Sequence, residues 1–155
     1  MNCDHSMLTY RFYRQPDAIL GLFKARLKTI VKINLAPALV IACGLPFLLF
    51  VTGGTSHPMN YLLLFVSILA MSVFFSVHHL VLYYLLQPYN VHMESKSGAY
   101  TAANWLTYLA CYMFIRVRVP TLIFASLTIL FSAIYILVAL ILVYKYAPRY
   151  FKLKQ

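Results

Sequence analysis

The chain has 155 residues, 63% of them apolar and only 10% charged, and its thirteen Lys and Arg against three Asp and Glu give a formal net charge of +10. A soluble domain is roughly 45–50% apolar and about 25% charged. A water-soluble enzyme, a disordered tail and a free nucleic-acid-binding module are therefore excluded. What remains is an all-α integral membrane protein.

In chain order, the first predicted element is a helix from Pro16 to Lys32. Ile19, Leu20, Phe23, Leu27, Ile30 and Val31 fall within about 120° of one another at 100° per residue. Lys24, Lys28 and Lys32 form a stripe beside them, and Arg26 lies on the other flank. Asp17 near the helix start suits the positive end of the helix dipole. The pattern predicts an amphipathic helix over 17–32 lying in the cytoplasmic interface, its apolar face sunk to the headgroup boundary.

Uncharged runs follow that are long enough to cross a hydrocarbon core about 30 Å thick. The first is Ile33 to Val51, with Pro37 and Pro46 inside it and Gly53-Gly54 after it. The second is Met59 to Leu86, begun by Pro58 and stopped by Gln87-Pro88-Tyr89-Asn90. The third, Tyr100 to Ile115, is short and reaches a full span only if Arg116 and Arg118 snorkel to the interface. The fourth, Thr121 to Tyr144, follows Pro120, and a basic tail runs over 145–155. The expected architecture is thus one polytopic domain over 1–155, with four transmembrane helices after the interfacial helix.

Basic residues orient the spans. Six lie before Ile33 (Arg11, Arg14, Lys24, Arg26, Lys28, Lys32). Lys96 lies in the 87–99 loop, Arg116 and Arg118 follow the third run, and four lie from Lys145 on. Four spans gather eleven on one side against two, whereas three spans give nine against four. Both termini are expected in the cytoplasm of a bacterial cell. The first 32 residues lack a compact apolar stretch and a small-residue cleavage site, so the first span is expected to act as an uncleaved signal.

Polar residues recur on helical faces within the runs. Ser72, Ser76, His79 and Tyr83 form one stripe of the second span, with His78 about 100° away from His79. Thr101, Asn104, Thr107, Tyr108 and Cys111 share a face of the third. Thr121, Ala125, Thr128, Ser132 and Ala139 form a small-residue stripe in the fourth, and Ala38, Ala42 and Pro46 one in the first. Such faces either join helices through close approach and hydrogen bonds or line a polar path. The candidate intramembrane stripe is Ser72, Ser76, His79, Tyr83 and Asn104. The exposed 87–99 loop, with Tyr89, His92, Glu94 and Lys96, is either a connector or a docking element for a cytoplasmic partner.

Catalytic parts are not legible. Asp4, Asp17 and Glu94 lie outside the spans, and there is no GxSxG, HExxH or GxxxxGK[ST]. Adjacent His78 and His79 diverge, and with His92 they lack a fourth ligand at zinc spacing. Cys3, Cys43 and Cys111 are scattered and read as small apolar fillers. No catalytic residue, metal or cofactor is expected.

The strings HHLVLYYLLQPYNVHMESKS and YRQPDAILGLFKARLKTIVKINLAPALVI resemble the membrane portion of ABC exporter permeases of Gram-positive bacteria, over about Tyr13 to Lys154. The resemblance implies an amphipathic cytoplasmic helix before a span, at Asp17–Lys32 here. It also implies a cytoplasmic loop that engages a separate ATPase subunit, at Gln87–Ala99. Such permeases have six or more spans, so four spans imply a half that pairs with a further permease chain, or the C-terminal part of a longer one. The expected function is a non-catalytic transmembrane subunit coupling a partner ATPase to motion of the helix bundle. The alternative is a small membrane interaction protein, such as a bacteriocin-immunity or accessory protein. The expected partners are the bilayer and those chains, with no nucleic acid.

Overall fold

The computed structural model describes residues 15–54, 57–86, 97–116 and 118–150. They form four helices in chain order: α1 (Pro16–Val51), α2 (Pro58–Leu86), α3 (Gly98–Ile115) and α4 (Thr121–Tyr150). No strand occurs among the described residues.

The helix ends follow from local chemistry. α1 closes in a Schellman motif, in which the Gly54 N–H donates to the Leu49 carbonyl at 3.0 Å and the Gly53 N–H to the Phe50 carbonyl at 3.1 Å. That geometry puts Gly53 at φ +69°, where a side chain would be strained. Proline opens α2 and precedes α4, where its missing N–H costs little. Ser97 caps α3, its hydroxyl accepting from the Tyr100 N–H at 3.3 Å. The same hydroxyl donates to the Leu86 carbonyl at 3.4 Å, tying the start of α3 to the end of α2.

α1 takes in two expected elements. The interfacial helix expected over 17–32 and the span expected over 33–51 are one continuous helix, with no break at Lys32–Ile33. No glycine or proline stands between Gly21 and Pro37 to interrupt it. Pro37 and Pro46 lie inside the helix; each deletes one backbone hydrogen bond, and the turns on either side hold. At about 1.5 Å per residue, α1 is about 54 Å long, well beyond the hydrocarbon thickness.

Three helices, α1, α2 and α4, are long and apolar enough to cross a membrane. The protein is therefore a multi-pass membrane protein. α3 falls short of that standard, because Asn104, Thr101, Thr107 and three tyrosines interrupt its apolar residues.

By contact the chain divides into two compact units. The described residues of the first are 15–27, 79–86, 97–116 and 139–150. Its buried residues include large ones: Phe23, Leu80, Tyr83, Tyr84 and Val143, with Ile19, Val81, Ala139 and Ala147. The Phe23 ring meets Tyr84 edge-on, with centroids 5.2 Å apart. The second unit comprises Lys28–His78 and Arg118–Val138. Its buried residues are nearly all small: Ala38, Ala42, Ser67, Ser76, Ala125 and Ser132, with Val77. Small residues at the seam and large apolar ones outside is the packing expected where lipid is the solvent, because close backbone approach and dispersion replace the hydrophobic drive. Val40, Phe47, Phe50, Leu127, Leu130 and Leu137 accordingly stand outward.

Contacts in the second unit give the helix directions. Asn34 of α1 reaches Ser76 of α2, while Phe50 lies beside Tyr61, so α1 and α2 run antiparallel. Phe74 of α2 contacts Phe131 of α4, and His78 contacts Tyr135. Both numberings rise together, so α2 and α4 run parallel.

Candidate functional site

Two polar constellations stand on α2 in the second unit, on different faces. The first joins α2 to α1. The Asn34 side-chain amide donates to the Ser76 hydroxyl at 2.8 Å. The Ser76 hydroxyl in turn donates to the Ser72 carbonyl at 2.7 Å, one turn back along its own helix. The Ser72 hydroxyl donates to the Asn34 backbone carbonyl at 3.3 Å. Each serine hydroxyl thus finds an acceptor, and Asn34 is held from both ends. In a membrane such interhelical bonds contribute about 0.6–1.7 kcal/mol each. Asn34→Leu should lower the unfolding free energy in detergent by about that amount, and Ser76→Ala should add little to it because the two act as one unit. Additive losses would contradict the clamp.

The second constellation joins α2 to α4. The Tyr135 hydroxyl and Nδ1 of His78 lie 2.6 Å apart; a histidine protonated on Nε2 accepts there from the tyrosine. Phe74 stacks on the His78 ring, with centroids 5.7 Å apart and an 11° interplanar angle. Phe74 also meets Tyr135 edge-on at 4.8 Å and Phe131 at 5.6 Å. The i, i+4 pairs Phe74/His78 and Phe131/Tyr135 therefore interlock as one aromatic patch that holds the His78–Tyr135 hydrogen bond.

The residues of the expected stripe, Ser72, Ser76, His79, Tyr83 and Asn104, fall in both units, the two serines in the second and the other three in the first. Ser72 and Ser76 meet Asn34, Tyr83 is buried in the first unit, and His79 is exposed. Asn104 is half-buried on α3. His78, about 100° away from that stripe, meets Tyr135 of α4. Asn34 and Tyr135 were missed as partners, although each is a polar side chain within an apolar run. For Tyr135 the signal is the i, i+4 pair Phe131/Tyr135, which matches Phe74/His78 on α2; for Asn34 no local repeat gives one.

The small-residue stripes are partly inward. Ala38, Ala42, Ala125, Ser132 and Ala139 are buried, Pro46 and Thr128 are half-buried, and Thr121 is exposed. Of the interfacial basic residues, Lys24, Lys28 and Lys32 are exposed and Arg26 is half-buried. The Lys24 ammonium lies 5.5 Å from the Tyr144 ring centroid, a cation–π contact that contributes about 0.5–1 kcal/mol at an exposed site. Tyr89, His92, Glu94 and Lys96, the expected docking residues, lie outside the described residues. Among the described residues, no three His, Cys, Asp or Glu come together in a way that could hold a metal ion.

No protein-family model matches the chain, and no curated protein or solved structure matches it either.

Proposed function

We propose that this chain is a non-catalytic membrane subunit that crosses the bilayer four times, with both termini in the bacterial cytoplasm, and that it works with a separate ATPase as part of an exporter. The parallel run of α2 and α4, read from Phe74 against Phe131 and His78 against Tyr135, supports the topology. Two spans that point the same way cannot be joined by a turn on one face. The chain leaving α2 must travel back across the bilayer before α4 begins. Among the described residues, α3 is the helix in that stretch, and its 18 residues rise about 27 Å, close to the hydrocarbon thickness. With that crossing, the six basic residues before Ile33, Lys96 and the four from Lys145 on share one face, while Arg116 and Arg118 lie on the other. This is the stronger of the two positive-inside asymmetries.

In this topology the 87–99 connection and the basic end of α1 face the cytoplasm together. The resemblance to exporter permeases puts ATPase contact on the first of these, the 87–99 connection. The tagged chain, purified from its host membrane, should bring down an ATPase subunit, and Y89A combined with K96E should reduce its recovery several-fold. Unchanged recovery removes the loop from docking. Recovery of a membrane target with no ATPase favours the second reading, a small interaction protein. The outward side chains of α3, a helix with no buried residue, support that reading as well.

A further inference from the structure

We propose that α3 is the seam of a homodimer, formed by two copies of this chain about a two-fold axis normal to the membrane. The inference rests on the reading that α3 crosses the bilayer. Thr101, Trp105, Tyr108, Tyr112 and Ile115 follow one another at alternating steps of four and three residues, the spacing of a helix–helix seam. All five point outward; Trp105 is 73% exposed, Tyr108 72% and Tyr112 59%. Among the described residues, Trp105, Tyr108 and Tyr112 have no hydrogen-bond partner.

A crossing helix cannot leave this stripe against lipid tails without cost. An indole N–H and two phenol hydroxyls would stand unsatisfied in hydrocarbon, where no water can reach them. Trp and Tyr suit the bilayer interfaces, yet Trp105 and Tyr108 sit near the middle of α3. The stripe needs a cover that supplies acceptors, and a second copy supplies them. A tyrosine hydroxyl both donates and accepts, whereas the indole only donates. The hydroxyls of one copy can therefore serve the indole and hydroxyls of the other. Copies in one membrane share an orientation fixed by their basic residues, so the two α3 helices meet in parallel. The same patch faces itself, as a two-fold interface requires.

The test uses the full chain in native membranes, with Cys3, Cys43 and Cys111 replaced by alanine. Single cysteines are placed along the stripe (T101C, Y108C, Y112C) and off it (L106C, L109C, M113C), then oxidised with copper phenanthroline. Stripe positions should give several-fold more disulfide-linked dimer than the others. In parallel, fluorescence of Trp105, the single tryptophan of the chain, is measured in vesicles of lipids brominated either deep in the acyl chain or near the headgroup. The seam predicts weak quenching by both. Strong quenching by deep bromines without stripe crosslinks means that α3 crosses but faces lipid; that result overturns the dimer and leaves the four-crossing reading standing. Strong quenching by shallow bromines means that α3 lies in the interface, and both fall. Crosslinks from the stripe to a different protein instead of a second copy also overturn the homodimer.

Discussion

Replacing Phe23 by alanine is expected to destabilise the fold by about 3–5 kcal/mol, the range for removing a fully buried phenylalanine. Phe23 sits on the part of α1 read from the sequence as a membrane-surface helix, and its ring would then lie in the headgroup region. In the structure its ring is fully buried in the first unit and meets Tyr84 edge-on. Removing it opens a cavity and also loses an aromatic pair that contributes about 0.5–1.5 kcal/mol beyond its area. Phe47, on the same helix but 66% exposed, is the control, because lipid replaces its contacts. Thermal unfolding in detergent should lower the midpoint clearly for F23A and hardly at all for F47A. Equal shifts would show that Phe23 faces lipid rather than protein.

The second large effect has the opposite sense of volume. Ala42 is fully buried in the second unit, one turn from buried Ala38. A leucine there forces the neighbouring backbone outward, a strain of about 1–3 kcal/mol. Part of the small-residue seam that lets the helices approach is lost with it. Ala36→Leu, at an exposed position of the same helix, should be neutral. The comparison is read by unfolding in detergent and by the yield of folded protein. A tolerated A42L would mean that the helices are not held by close approach at that turn.

These residues also show how much of the molecule the sequence carried. The ends at Val51, Leu86, Ile115 and Thr121 were legible because glycine, proline and polar clusters punctuate them, and such signals act locally. The fusion of leader and span was not legible. Amphipathic and uniformly apolar patterns meet at Lys32–Ile33 without any breaker, and periodicity says which face is apolar, not where a helix bends. Buried Ala38, Ala42, Ala125 and Ser132 were legible as a small-residue code, since only close backbone approach explains them in lipid. The pairing of His78 with Tyr135 was not. Adjacent residues differ by about 100° around the helix, and α2 touches α1 through Ser76 but α4 through His78. A single stripe cannot describe a helix with two neighbours. The pairing of Asn34 with Ser76 joins residues 42 apart in sequence, and local pattern contains no information about it.

The central claim is that α3 carries the chain back across the membrane between two parallel helices. Its most direct test places single cysteines at both ends of α3, S97C and R118C, in the cysteine-free background. Intact cells are then treated with a membrane-impermeant maleimide. The account predicts that R118C is labelled from outside, whereas S97C reacts only after the membrane is opened. Labelling of both from the same side would mean that α3 does not cross, and the four-crossing topology would be wrong.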